Sequence, residues 1–326
     1  MTDLRNAPKL NSKIAQVKTV KRIFNNMVDE YDHLTDLWYR YTFDNIDRVL
    51  LNEFKFSSRK TKNKPIALDL GCGTGIQSFR LASLGYKVIG VDISDGLIKI
   101  AKMKLFRAGY HDSEFYISDA QSLPFNDNIA DCVNCCGPSL SFIPNWRKAL
   151  WEISRCLKPS GKLLLEVEGK WNLDLFWEIT GAIGFNFLKY DETLSVAFGH
   201  LIPPWDIGHT INYSFILESG EPVSMPLKLF TPEEINGELG KVRLIQDKRW
   251  GLHVITNTIP STMLHNSYPS KRLKIIFDKL AWLEQHVYNH FPFNSFGSSI
   301  LILAHKGEHN ISKVLGKNEF RNDDSD

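Results

Sequence analysis

The chain has few cysteines for its length, almost no net charge and no long apolar run, and each shortage removes a class of protein. Five cysteines in 326 residues are too few to staple a disulfide scaffold. A formal net charge of +2 provides no bulk attraction to nucleic acid. No apolar stretch approaches the roughly 18 residues of a transmembrane span, and the opening MTDLRNAPKLNSK lacks the apolar centre of a signal peptide. No repeat recurs at solenoid or propeller spacing. What is present is 43% hydrophobic and 23% charged residues, ordinary for a globular chain able to bury a sizeable core. A cytoplasmic protein is the expectation.

Two local concentrations stand out against this background. Cys132, Cys135 and Cys136 cluster in DCVNCCG, but no second Cys or His pair lies at ligand spacing, so no metal is expected. In an apolar, strand-like run they read as reduced core thiols. The loop KFSSRKTKNK at 55–64 and the cations Lys9, Lys13, Lys18, Lys21 and Arg22 of the first helix read as solvated faces.

Apolar periodicity then orders the chain. Residues 12–51 recur at three- and four-residue steps, as in Val17, Val20, Ile23 and Phe24, and later Phe43, Ile46 and Leu50. Strands are expected at 66–70, 86–91, 114–117, 131–136 and 163–167, with KPSGK as the turn before the last. Helices are expected at 75–84, 94–108 and 146–156, the second capped by Ser94. Such alternation means parallel pairing and an α/β sandwich. After Gly169 the rhythm breaks: an aromatic-rich helix at 171–190, then a loop- and strand-rich passage marked by Pro203, Pro204, Pro222 and Pro226. A helix opened by TPEEI at Thr231, strands at 242–250 and 299–304, and a helix at 271–288 complete the pattern. The expected division is a helical lid (1–60), a cofactor-binding core (61–169), a cap (170–229), late core elements (230–251 and 297–306), a second cap (252–296) and a polar tail (307–326).

The stretch ALDLGCGTG, at 67–75, carries the chemistry. It is a buried-looking strand ending in Asp69, followed by glycines at alternate positions. Ile76 stands where a dinucleotide fingerprint wants its third glycine, so a strict NAD loop is absent. A carboxylate beside exposed backbone N–H groups would repel a pyrophosphate but suits a ligand bearing an ammonium and a carboxylate. Asp92, ending the second strand in VIGVDIS, can accept both hydroxyls of a ribose. Asp119, in ISDAQSLPF, can accept from an exocyclic amine while Ala120 offers a backbone N–H.

ALDLGCGTG, VIGVDIS, ISDAQSLPF and LKPSGKLLLEV, in this order, resemble the class I S-adenosylmethionine-dependent methyltransferases. The resemblance implies a Rossmann-like methyltransferase sandwich, a mostly parallel sheet with helices on both faces, and S-adenosyl-L-methionine as cofactor. It implies that Asp69, Gly71 and Gly75, with Cys72 and Gly73 in the same loop, hold the methionine portion. Asp92 with Ile93 would hold the ribose, and Asp119 with Ala120 the adenine. Asn134 to Gly137, with Cys136 among them, would line the methionine and sulfonium side. IFNNMVDEYDHLTDL resembles the opening of the ubiquinone/menaquinone C-methyltransferases, in which a Tyr-Asp pair, here Tyr31 and Asp32, precedes the cofactor domain. Tyr31 would cover the sulfonium with its ring or serve as a plain core residue. The C-terminal half does not resemble that family's.

Methyl transfer from a sulfonium mainly needs alignment in a dry pocket, with a base only where the acceptor loses a proton. GHLIPPWDIGH offers His200, Asp206 and His209, and WGLHVIT offers His253. The expected acceptor is a small molecule rather than nucleic acid. Aromatics such as Phe176, Trp177, Phe185, Phe187, Phe198 and Trp205 in the cap favour an apolar aromatic or prenylated quinone precursor. The basic first helix would then work at an anionic membrane surface. The alternatives are a nucleic-acid or protein methyltransferase, against which IPPW has Ile202 in place of a polar residue, and a non-catalytic cofactor-binding partner subunit.

Overall fold

The computed structural model describes residues 13–26, 28, 36–55, 63–182, 204–216, 222–266 and 268–308. In chain order the first elements are α1 (Lys13–Asn26), α2 (Leu37–Glu53), β1 (Ile66–Leu70), α3 (Ile76–Ser83), β2 (Lys87–Asp92) and α4 (Asp95–Arg107). They are followed by β3 (Glu114–Ile117), β4 (Ala130–Cys135), α5 (Trp146–Cys156), β5 (Leu157–Glu168) and α6 (Asp174–Ala182). The remainder comprises β6 (Thr210–Ile216), β7 (Pro222–Lys228), α7 (Pro232–Lys241), β8 (Leu244–Leu252), α8 (Ser261–Leu264), α9 (Lys271–Glu284) and β9 (Ser299–Lys306).

Seven strands form one sheet in the order β3-β2-β1-β4-β5-β9-β8, and β6 and β7 form a separate antiparallel pair. The first five are parallel, while β9 runs antiparallel to both neighbours. The inner strands β1, β2, β4 and β9 are buried along nearly their whole length because both faces are covered, whereas the edge strands β3 and β8 carry exposed residues. Successive residues therefore join different cores. On β1, Leu68 and Leu70 pack with Leu150 and Ile153 of α5 and Ile235 of α7. Ala67 packs on the opposite face with Leu50 of α2, Leu81 of α3 and Ala101 of α4. All five cysteines are free and buried. Among the described residues no group of three or more His, Cys, Asp or Glu side chains could hold a metal, and no helix is long and apolar enough to cross a membrane.

Local chemistry sets the element ends. Ser94 caps α4 by accepting from Leu97 N–H at 3.2 Å, and Thr231 caps α7 by accepting from Glu234 N–H at 3.2 Å, with Pro232 in the first turn. KPSGK, expected as a turn before a strand at 163, is instead inside β5, which starts at Leu157. Ser160 takes a left-handed φ of 59° and the β4–β5 register shifts between Ala130 and Cys132, so the segment is a bulge that the ladder absorbs. The aromatic helix begins at Asp174 rather than 171, and α9 stops at Glu284 rather than 288. Residues 183–190 of the former lie outside the described residues.

One carboxylate ties helix α9 to the turn that follows β8. Glu284 is fully buried on α9 and accepts N–H groups from His253, Ile255 and Thr256, each at 2.8 Å. Replacing it with alanine strands three donors, so Glu284→Ala is expected to cost about 3 kcal/mol or more. A urea unfolding midpoint within error of wild type would contradict this.

Candidate active site

Strand order reverses between β1 and β4, and a crevice opens over the carboxyl ends of the strands at that point. The cleft there spans about 750 Å³, including the part open to solvent. Gly71 lines it after β1, Asp92 and Ile93 after β2, Asp119 and Ala120 after β3, and Gly137 after β4. Helix α1 lies over it and contributes Val17, Val20 and Phe24. Val20 and Ile23 of α1 are buried with Met225 of β7, and Phe24 stands edge-on to Phe142 at 6.0 Å.

The glycine loop is held from beneath. Asp69 is 1% exposed; it accepts from Ser78 Oγ at 2.5 Å and from Asn134 Nδ2 at 2.7 Å. Burial pushes its pKa up to about 6, opposed by those two donors. The sequence places Asp69 and Asn134 against the ligand, whereas here they bond each other below the loop, neither lining the cleft. Gly71 has φ +65°, and a Cβ there would fall 2.0 Å from Ser139 Oγ, itself a cleft residue. Gly75 starts α3 at φ +86° in the left-handed region.

Asp92 is the joint between loop and cleft. Its carboxylate accepts from Gly73 N–H at 2.9 Å and Ser94 N–H at 2.8 Å, which leaves a lone pair on each oxygen for a ligand. Burial raises its pKa, and the N–H groups of Ser94, Gly73 and Ile93 oppose the rise. Asp119 takes Gln121 N–H at 2.9 Å and the Gln121 amide at 2.9 Å. The loop beyond it is pinned from α5, where Arg155 donates to the carbonyls of Phe125 and Leu123 and Glu152 accepts Leu123 N–H at 2.7 Å.

These residues fit S-adenosylmethionine: two strand-end carboxylates for hydroxyl and amine donors, apolar walls from Ile93, Leu97, Ala120 and Phe142, and a Gly71 position that admits no side chain. Sequence reasoning missed Gln121, which follows Ala120 in the loop after β3, and Ser139 and Phe142, which the turn Ser139–Phe142 brings to the cleft.

Other expected residues lie elsewhere. The buried thiols of Cys72 and Cys136 join the core on the α2–α4 side, and it is Cys135 that lines the cleft. On β4 side chains alternate, so a shift of one position changes the face. His253 does not line the cleft: it is fully buried and stacked on Trp38 with ring centroids 3.7 Å apart. Its nitrogens face Thr42 Oγ1 at 2.9 Å and Thr256 Oγ1 at 3.0 Å, and burial lowers its pKa to about 3. It is a neutral core residue with no free nitrogen for a substrate. Asp206 is exposed with its carbonyl accepting from Thr231, and the carbonyl of His209 accepts Leu229 N–H at 2.8 Å; neither lines the cleft. Tyr31 and His200 lie outside the described residues.

An acid not singled out from the sequence ends β5. Burial, then the neighbouring Glu166 and Asp174, push Glu168 from 4.5 up to about 8. Glu168 is not among the residues that line the cleft. Its raised pKa makes a stabilising contribution that is complete below pH 4.5 and lost as pH rises through 8. Unfolding free energy of wild type is expected to fall across that window more steeply than that of Glu168→Gln, which cannot ionise. Parallel stability curves would remove the assignment. At Gly71, alanine meets both the strained φ and the Ser139 contact, so Gly71→Ala is expected to lose about 1–3 kcal/mol of stability. Thermal melts of this variant and of Gly71→Ala/Ser139→Gly, which relieves the contact but not the φ, separate the two effects.

Comparison with known proteins agrees with this geometry. The methyltransferase-domain family model matches residues 68–165. The chain is 31% identical over 188 residues to the ubiquinone/menaquinone biosynthesis C-methyltransferase UbiE of Blochmanniella pennsylvanica, covering 54% of this chain and 68% of that protein. It is 34% identical over 157 residues to the demethylmenaquinone methyltransferase of Lactococcus lactis, covering 44% of this chain and 56% of that one. In fold it matches the Burkholderia thailandensis 1,6-didemethyltoxoflavin-N1-methyltransferase, whose structure contains S-adenosylhomocysteine, with a TM-score of 0.53 at 12% identity over 94% of this chain and 98% of that one. With its strand order, its cleft at the strand ends and these relatives, the chain belongs to the S-adenosylmethionine-dependent methyltransferases of the ubiquinone/menaquinone C-methyltransferase family.

Proposed function

We propose that the protein methylates an apolar small molecule, of which a prenylated aromatic or quinone precursor is the class that fits best. The observation that carries this reading is the cover of the cleft, where Val20, Ile23 and Phe24 of α1 meet Met225 and Phe142. An acceptor approaching beneath such a cover exchanges water for apolar side chains, which favours an apolar body over a highly charged metabolite. The quinone chemistry in the names of the two relatives supports the same class. The five unpaired buried thiols fit a reducing, cytoplasmic compartment.

When bound, S-adenosylmethionine supplies an electrophilic methyl group on a sulfonium. The chain's own contribution is positioning and exclusion of water. Asp92 would accept the ribose hydroxyls and Asp119 the adenine amine, while Gly71 lets the main chain approach the methionine portion. Phe142 and the α1 side chains keep the cleft dry.

Calorimetry is expected to show S-adenosylmethionine and its demethylated product binding and NAD not binding. Asp92→Asn, which keeps an acceptor but removes the charge, is expected to weaken that binding by about 2 kcal/mol. Unchanged affinity would remove Asp92 from the ribose site. With labelled cofactor and a metabolite extract, label is expected in the organic-soluble fraction. Label confined to water-soluble products, nucleic acid or protein would overturn the acceptor class.

A further inference from the structure

Helix α9 turns an apolar stripe outward as well as inward. Its inner face buries Phe277, Ala281 and Glu284, with Leu273 and Leu280 half-buried beside Leu37 and Tyr41 of α2. Its outer face carries Ile275, Ile276, Trp282 and Leu283, which are 57%, 52%, 64% and 45% exposed. At 3.6 residues per turn these four, with Arg272 and Lys279, fall within about 120° of arc. Tyr268 and Phe291, just before and after the helix, are 91% and 82% exposed. Scattered apolar side chains on a surface need no explanation, but a contiguous stripe of this kind marks a surface that meets something.

Charge decides what that is. Arg272 and Lys279 lie within the stripe, and Lys271 and Lys274 are exposed on the same helix. The acids do not oppose them: Glu284 points into the core and Asp278 is paired with Arg40 at 3.3 Å. A protein partner's contact centre is typically depleted of lysine. Apolar side chains interleaved with cations, with a tryptophan among them, are instead the chemistry of a helix lying in the headgroup layer of an anionic bilayer. The basic first helix, expected from sequence to take this role, spends its apolar face on the cofactor cleft and places Lys21 3.4 Å from Asp95.

We propose that the outer face of α9, together with Tyr268 and Phe291, seats the protein on an anionic lipid surface. The inference stands whatever the acceptor is. It gives an enzyme without a described membrane-spanning helix a means of working beside lipid-dissolved molecules.

The test uses the full chain and vesicles of phosphatidylcholine with or without phosphatidylglycerol. Because the natural thiols are all buried, a cysteine placed at Leu283→Cys can be labelled with an environment-sensitive dye, and Lys18→Cys on α1 serves as the control. The expected result is binding about tenfold or more tighter to the anionic vesicles, with a blue shift at position 283 and none at 18. Charge reversal by Arg272→Glu/Lys279→Glu is expected to weaken that binding about tenfold or more, and Ile276→Ser/Trp282→Ser to abolish it, with cofactor affinity unchanged in both. Three results overturn the proposal: no binding to anionic vesicles, a shift at 18 but not at 283, or a concentration-dependent dimer that Ile276→Ser/Trp282→Ser dissolves while vesicle binding persists.

Discussion

Two carboxylates govern the glycine loop, and the site follows from how they are spent. Asp69 looks inward and ties three elements together: its own strand β1, helix α3 through Ser78, and strand β4 through Asn134. Asp92 looks both ways, holding the loop through Gly73 N–H while forming part of the cleft wall. A buried carboxylate with no cation beside it is costly, and donors from Ser78 and Asn134 offset that cost. The loop is consequently fixed on its underside, and Gly71 presents bare main chain to the cleft above.

The same economy links the cleft to its cover. Ser94, two residues beyond Asp92, accepts Leu97 N–H as the cap of α4 and donates from its hydroxyl to Asn25 Oδ1 at 2.5 Å. Asn25 in turn donates to Asp95 Oδ1 at 3.1 Å. The end of α1 is thus clasped to the start of α4, directly beside the acid assigned to the ribose. Any opening of α1 must break polar contacts within three residues of Asp92. Cover and pocket share one set of hydrogen bonds.

The sheet was legible where both faces of a strand are apolar. β1 and α5 fall on the residues expected from the sequence, because buried runs and flanking turns there agree, and β3 falls on its expected residues although Tyr116 and Ile117 are exposed. The bulge at Ser160 was not legible, since proline and glycine signal a turn equally well whether or not the ladder continues past them. In the site, Asp92, Asp119 and Gly71 were legible from their places at strand ends. Asp69 and Asn134 were legible as site residues but not in their orientation, which depends on a partner 65 positions away. Phe142 and Ser139 depend on how a short turn folds over a neighbouring strand, and His253 on a stack with Trp38 some two hundred residues earlier. Local pattern does not encode such meetings.

The place of β9 has a consequence for synthesis. It is the last described strand in the chain, yet it sits between β5 and β8 and pairs with both. Until residues 299–306 leave the ribosome, β8 has no neighbour in the sheet, and β5 shows an open edge formed by some of the most apolar residues in the protein. The parallel half, β1 to β5 with its helices, can assemble first as a vectorially made unit. The growing chain then carries an unpaired edge through the production of some 130 further residues.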